Sequence, residues 1–249
     1  MIKNKMITLA IASVFLLAPA SYLNAETLST LGCMLEPSEK VQISSPVSGV
    51  IDRVNVKRGG NVKKGRTLFQ LKAGVEKELV ELAKVKAGFA LRKATRNKEL
   101  YKDDILTMHE RDEIETELVI ANTELRLKKQ ELALRTVRSP INGVVVNRLH
   151  TKGEYVNVDP VMHLATLDPL HIDLLLPSSY FGQIVMGQEL MIKPEAEMIE
   201  SSTAKVVIVD PLIDPASGTF RVQLEMKNPG NKIPAGIRCT AQTMNAVKE

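Results

Sequence analysis

Cys33 and Cys239 are the two cysteines of the chain, and each stands in an alternating apolar register: Leu31, Cys33, Leu35 and Ile237, Cys239, Ala241. Neither has a histidine near it in sequence to activate a nucleophilic thiol. One disulfide closing most of the chain and two buried free thiols both fit, and an even count in an exported protein favours the disulfide. His109, His150, His163 and His171 are scattered without ligand spacing, and the ten methionines do not cluster into a thioether site. No serine sits in a G-x-S-x-G elbow, and no G-x-G-x-x-G loop is present. Asp210 and Asp214 each precede a proline, where aspartate ordinarily shapes a turn. The expectation is a protein without catalytic residues, metal ligands or a cofactor: not an enzyme.

Composition narrows the class further. The 249 residues are 44% apolar and 25% charged, outside the range of disordered chains. Aromatic residues make up 4% with no tryptophan, which disfavours nucleic-acid binding by stacking. Residues 1–25 read as a signal peptide. Lys3 and Lys5 precede the apolar stretch Met6–Ala20, too short to span a bilayer, and cleavage falls after Ala25 or Ala20. Loss of the two lysines reduces the formal charge from +4 to +2, too little to imply an anionic partner. The mature chain is therefore expected in an oxidising compartment outside the cytoplasm.

The elements that must position any function are set by an internal repeat. Ser45-Pro46-Val47-Ser48-Gly49-Val50 recurs as Ser139-Pro140-Ile141-Asn142-Gly143-Val144, and the same offset carries Gly59 onto Gly153 and Val62 onto Val156. Each copy runs through a proline turn, a glycine, a short alternating strand, a second glycine turn and another strand. The copies, residues 41–73 and 137–167, are each too small to bury a core. Paired face to face they make one flattened β-sandwich, whose turn glycines are Gly49, Gly59, Gly143 and Gly153. Residues 26–40 lead into it.

Residues 74–136 separate the two copies, and residues 89–139 hold neither glycine nor proline. Ile114, Leu118, Ala121, Leu125, Lys128 and Leu132 recur at steps of four and three, the seam of a helix. Val75, Leu79, Leu82 and Phe89 form a weaker track that runs on to Lys93 and Arg96. Thr107-Met108-His109-Glu110 is a capping box, so the second helix starts there and the turn lies near Lys102–Leu106. Two antiparallel helices of about 30 residues make a rod of roughly 45 Å. Residues 168–246 read as a small antiparallel barrel or sandwich. Ile172, Leu174 and Leu176 alternate, as do Phe220, Val222, Leu224 and Met226, and a last strand covers Ile237–Gln242. Tyr180–Val185 is expected as a short helix. The fold class is mostly β with a long α-helical hairpin.

Together these motifs resemble the HlyD-type periplasmic adaptor (membrane fusion protein) family, whose split biotinyl/lipoyl-like sandwich carries a helical hairpin and is followed by a β-barrel. The resemblance rests on Ser45–Ile51, Gly59–Gly65, Arg138–Val145, Ser217–Val222 and Pro234-Ala235-Gly236. It implies a homo-oligomeric ring, trimer or hexamer, in the periplasm of a Gram-negative bacterium. The ring would bridge an inner-membrane transporter of RND or ABC type and a TolC-like outer-membrane channel. Family members that dock to such channels carry Arg-x3-Leu-x6-Ser at the hairpin tip; here Arg96, Leu100 and Thr107 fall on those positions, with threonine for serine. The further membrane-proximal domain of many adaptors is expected to be reduced or absent. Two rival readings stand beside this one. A covalent carrier domain would need a modified lysine on the inter-copy turn, for which Lys72 and Lys77 are the nearest residues. A transporter-independent periplasmic scaffold would tolerate a charge at Leu100.

Overall fold

The computed structural model describes residues 26–102 and 107–243. The leader reading and the centre of the hairpin turn therefore lie outside the described residues. Among the described residues no helix is long and apolar enough to cross a membrane.

The chain order is β1 (Glu26–Thr27), β2 (Gly32–Ser44), β3 (Gly49–Val54), β4 (Asn61–Val62), β5 (Thr67–Leu71), α1 (Gly74–Lys102), α2 (Met108–Ala133), β6 (Thr136–Arg138), β7 (Gly143–Arg148), β8 (Tyr155–Val156), β9 (Pro160–Pro177), β10 (Glu189–Pro194), β11 (Ser202–Val209), β12 (Thr219–Met226) and β13 (Cys239–Thr243). In place of the expected helix after Pro177 there is one 3₁₀ turn, Ser178–Tyr180.

The repeat folds into a reciprocal pair. Gly59 N–H donates to Val145 O and Gly153 N–H to Ile51 O, both at 2.8 Å, so each copy's turn binds the other copy's strand. Likewise β4 pairs with the start of β7, and β8 with the start of β3. Ser45 and Ser139, both buried, close the two proline turns by donating to Val47 O and Ile141 O. The sandwich core gathers Ile51, Leu68, Phe69, Val145, Val161, Met162 and Leu164 from both sheets, each 0–1% exposed. Completely burying such side chains stabilises the fold by about 1.5–3 kcal/mol apiece.

The barrel differs from expectation in where it begins. β1 pairs with β13, and Gly32–Pro37 of β2 pair with Leu170–Leu175 of β9, so the segment read as a lead into the sandwich supplies strands to the barrel. Periodicity identifies the buried face of such a segment but not its pairing partner, and Cys33 and Leu35 face the barrel core. Both β2 and β9 continue into the sandwich through a register shift between Pro37 and Glu39, and there Glu39–Ser44 pair with Pro160–Thr166. The division expected at residue 168 thus falls inside one strand. Asn228, 1% exposed, secures that waist: its N–H donates to Asp168 Oδ1, its amide donates to Leu167 O and Ile233 O, and its Oδ1 accepts from Ile233 N–H. Between β2 and β13 the ladder is reduced to the bridge Met34–Arg238 and bonds of Leu35 with Ile237 and Gly236. The Cys33–Cys239 disulfide spans this seam, with Cα atoms 5.0 Å apart.

Candidate docking site and its supports

The hairpin is positioned by its root. Arg135, just past α2, forms an ion pair with Glu76 in the first turn of α1 at 2.6 Å. Its Nη1 also donates to Ser48 O at 3.0 Å, and its carbonyl accepts from Leu71 N–H at 2.9 Å. One side chain thereby ties both helices to the first proline turn of the sandwich. Sequence periodicity gave no signal for this residue. Lys72 and Lys77, the carrier-domain candidates, stand at this root, Lys77 inside the first turn of α1.

Along the rod the two helices use different seams. On α2 the expected positions Ile114, Leu118, Ala121, Leu125, Lys128 and Leu132 are all half-buried, joined by Glu124 and Glu131, and no α2 residue is fully buried. On α1 the seam lies one residue beyond the expected track. Ala83, Ala87 and Ala90 are 2–5% exposed, whereas Val75 is 70%, Leu82 53% and Phe89 56% exposed. Small side chains let the backbones approach closely, and the bulky residues then fall on the flank. Phe89 of α1 and Ile120 of α2 line one groove on that flank together with Lys86, Glu117 and Glu124. Leu127 and Leu134 follow Ile120 at seven-residue spacing, and all three are exposed. Ion pairs Lys86–Glu124 (3.1 Å) and Lys93–Glu117 (2.6 Å) cross between the helices there. Surface pairs of this kind contribute about 0–1 kcal/mol each and serve mainly to fix register. The rod therefore carries an unpartnered apolar flank.

Arg96 is exposed and Leu100 half-buried, one turn apart near the end of α1, and Thr107 caps α2 across the turn. The capping box is complete. Glu110 N–H donates to Thr107 Oγ1 at 3.3 Å, while Thr107 N–H and Oγ1 donate to Glu110 Oε2 at 2.9 and 2.8 Å. These bonds, the backbone one foremost, hold the Glu110 carboxyl below its ordinary pKa. The Thr107 hydroxyl retains acceptor capacity toward an incoming donor. The helix ends thus bring all three residues to the far end of the rod.

The glycines of the repeat divide into two kinds. Gly59 and Gly153 occupy turns at φ +76° and +93°, where a Cβ is strained. Gly49 and Gly143 were expected in turns but open strands β3 and β7 instead. Their smallness is demanded by close approach: a Cβ on Gly143 would lie 2.3 Å from Ala165 O, and one on Gly49 would lie 2.7 Å from the Arg135 guanidinium. The scattered histidines belong to local structure: His150 Nδ1 bonds Glu154 Oε2 at 2.8 Å, the main reason the Glu154 carboxyl is held below its ordinary pKa. Among the described residues no group of His, Cys, Asp and Glu is arranged to hold a metal ion.

Two family models match the chain: CzcB-like, barrel-sandwich hybrid domain over residues 39–165, and CusB-like, beta-barrel domain over residues 170–247. Among curated proteins, an uncharacterised protein of Haemophilus influenzae is 23% identical, the match covering 95% of this chain and 64% of that protein. Multidrug resistance protein MexA of Pseudomonas aeruginosa is 21% identical over 84% of this chain and 58% of MexA. Multidrug resistance protein MdtE of Escherichia coli is 24% identical, with coverage of 90% and 65%. The chain thus spans less than two thirds of the length of these relatives. Of solved structures, a MacA–MexA chimera containing the P. aeruginosa MexA α-hairpin domain superposes with a TM-score of 0.76 at 18% identity, covering 89% of this chain and 80% of the chimera. A putative efflux transporter from Bacteroides eggerthii gives 0.71 at 18%, covering 94% and 76%. Both share the fold.

Proposed function

The chain belongs to the periplasmic adaptor (membrane fusion protein) family, and from that premise we propose that it links an inner-membrane transporter of RND or ABC type to a TolC-like outer-membrane channel in a tripartite efflux or secretion assembly. It acts in the periplasm, peripheral to the inner membrane, after removal of its leader. Copies pack side by side as a trimeric or hexameric ring, the hairpins form a tube, and the substrate passes through the enclosed space while the transporter supplies the energy. Arg96, Leu100 and Thr107 carry the docking: a guanidinium, an apolar side chain and a hydroxyl presented together at the end of a rigid rod.

The observation that carries the reading is the hairpin itself. Its far end carries Arg96, Leu100 and Thr107, and its flank exposes Phe89 and Ile120 in one groove, with Leu82 and Leu127 also exposed, an unfavourable solvent contact that a neighbouring hairpin would cover. Helix pairs associate through such stripes when apolar side chains interdigitate.

In-cell crosslinking from Leu100→Cys, followed by mass spectrometry, tests the docking. Capture of an outer-membrane channel is the expected result, and a co-purifying transporter identifies the energy source. Self-capture alone, from a folded protein, would replace the bridge with a scaffold. Leu100→Asp is expected to abolish export with the melting curve of the body unchanged.

A further inference from the structure

The two turns of the repeat share a positive-φ glycine, Gly59 and Gly153, and differ in charge. Between Asp52 and Glu76 the chain holds seven basic residues and no acidic one. Lys57, Arg58, Lys63, Lys64 and Arg66 are exposed, and among the described residues none of them is bonded to a carboxylate. In the second copy the corresponding turn is balanced: Glu154 bonds His150 and Thr151, with Lys152 beside them.

Their positions differ as well. The balanced turn lies at the hairpin root, where β8 pairs with the start of β3. The basic turn lies beside the barrel, since the Asn231 amide donates to Asn61 Oδ1 at 3.1 Å. The basic turn is also preordered. Gly60 N–H donates to Lys57 O and Arg66 N–H to Lys63 O, both at 3.0 Å, and Lys64 N–H donates to Asn142 Oδ1 at 2.9 Å. Gly59 and Gly65, at φ +76° and +84°, permit these reversals.

We propose that residues 57–66 form a docking surface for a protein partner bearing a carboxylate-rich patch. A fixed cluster of like charges repels itself, and an acidic surface removes that cost while steering encounter. The arginine forks suit carboxylates in bidentate pairs. Two observations favour a polypeptide over a bilayer. The apolar residue inside the cluster, Val62, is 3% exposed and so cannot enter hydrocarbon. The barrel loop at Asn231 also flanks the turn, so the cations do not form an outermost plane. This surface is separate from the hairpin tip and stands whether or not the tip docks to a channel.

Fluorescent poly-L-glutamate, titrated against the full chain at several ionic strengths, is the first probe. Lys57→Glu/Arg58→Glu/Lys63→Glu/Lys64→Glu is expected to lose at least about tenfold in affinity and most of the salt dependence. Lys77→Glu/Lys152→Glu, at the hairpin root, should stay within about twofold of the parent. Equal losses in both variants would reduce the effect to net charge and overturn the proposal. Tighter binding to phosphatidylglycerol vesicles than to poly-L-glutamate, lost in the first variant, would overturn it in favour of a lipid surface. Lys63→Gln/Lys64→Gln, required to melt like the parent, repeats the measurement if charge reversal impairs folding and is expected to show a partial loss; unchanged binding in it would overturn the proposal.

Discussion

The β body and the helical rod are held together by different means. In the body, whole side chains of Leu35, Ile51, Phe69 and Phe220 are sealed at 0–1% exposure. In the rod, among the described residues, only alanines of α1 are sealed, the large α2 seam residues are half-buried, and Val75, Leu82, Phe89 and Ile120 are exposed. The body has enough layered surface to fold as a unit. The rod leans on its root at Arg135, on its caps and on whatever covers its flank. The proposed docking falls on the element with the smaller core of its own, a division expected where a site must meet a partner.

This contrast can be tested by a graded series. Cys33→Ala/Cys239→Ala is expected to cost the body about 4 kcal/mol, since the bridge closes a loop of 206 residues at a weakly paired seam; the urea midpoint measures it. Gly143→Ala should cost about 2–3 kcal/mol because the obstacle is backbone, whereas Gly49→Ala, which meets the end of the Arg135 side chain and must displace its contact with Ser48, should cost about 1 kcal/mol. Equal losses at the two glycines would break the close-approach account. On the rod, Ala87→Leu is expected to cost about 1–3 kcal/mol by prising the seam apart. Leu82→Ala on the flank should stay within about 0.5 kcal/mol in the monomer and instead weaken self-association in sedimentation. Thr107→Ala should cost about 1 kcal/mol of cap stability.

The same cap predicts a pH effect. Folding lowers the Glu110 pKa, so its contribution is complete above the ordinary carboxylate range and disappears as pH falls through the lowered value. Glu110→Gln should therefore flatten the acid limb of the stability profile, read by helical circular dichroism between pH 7 and pH 3.

Much of this was legible from residue spacing. The reciprocal sandwich follows from the 45/139 repeat, the α2 seam from its steps of four and three, and the cap from Thr107 and Glu110. The α1 seam was not legible, because bulk outweighs alanine in any reading by hydrophobicity while close helix packing prefers the alanine. Nor was the barrel's claim on residues 26–37, because strand pairing is long-range and alternation names a face without naming a neighbour. No spacing singles out Asn228; only the fold brings Leu167, Asp168 and Ile233 within its reach. Arg96, Leu100 and Thr107 stood out only through family resemblance, since a basic, an apolar and a hydroxyl residue on a helix are individually unremarkable.

Strands β2 and β9 both run from barrel into sandwich, through a register shift between Pro37 and Glu39, and join the two as one beam without a separate linker. The hairpin, clamped to that beam by Arg135, works as a lever arm. A tilt of about 10° imposed on the barrel would sweep the end of a rod of roughly 44 Å through about 8 Å. Small movements at one end of the protein would thus arrive amplified at the other, without any residue between them changing its conformation.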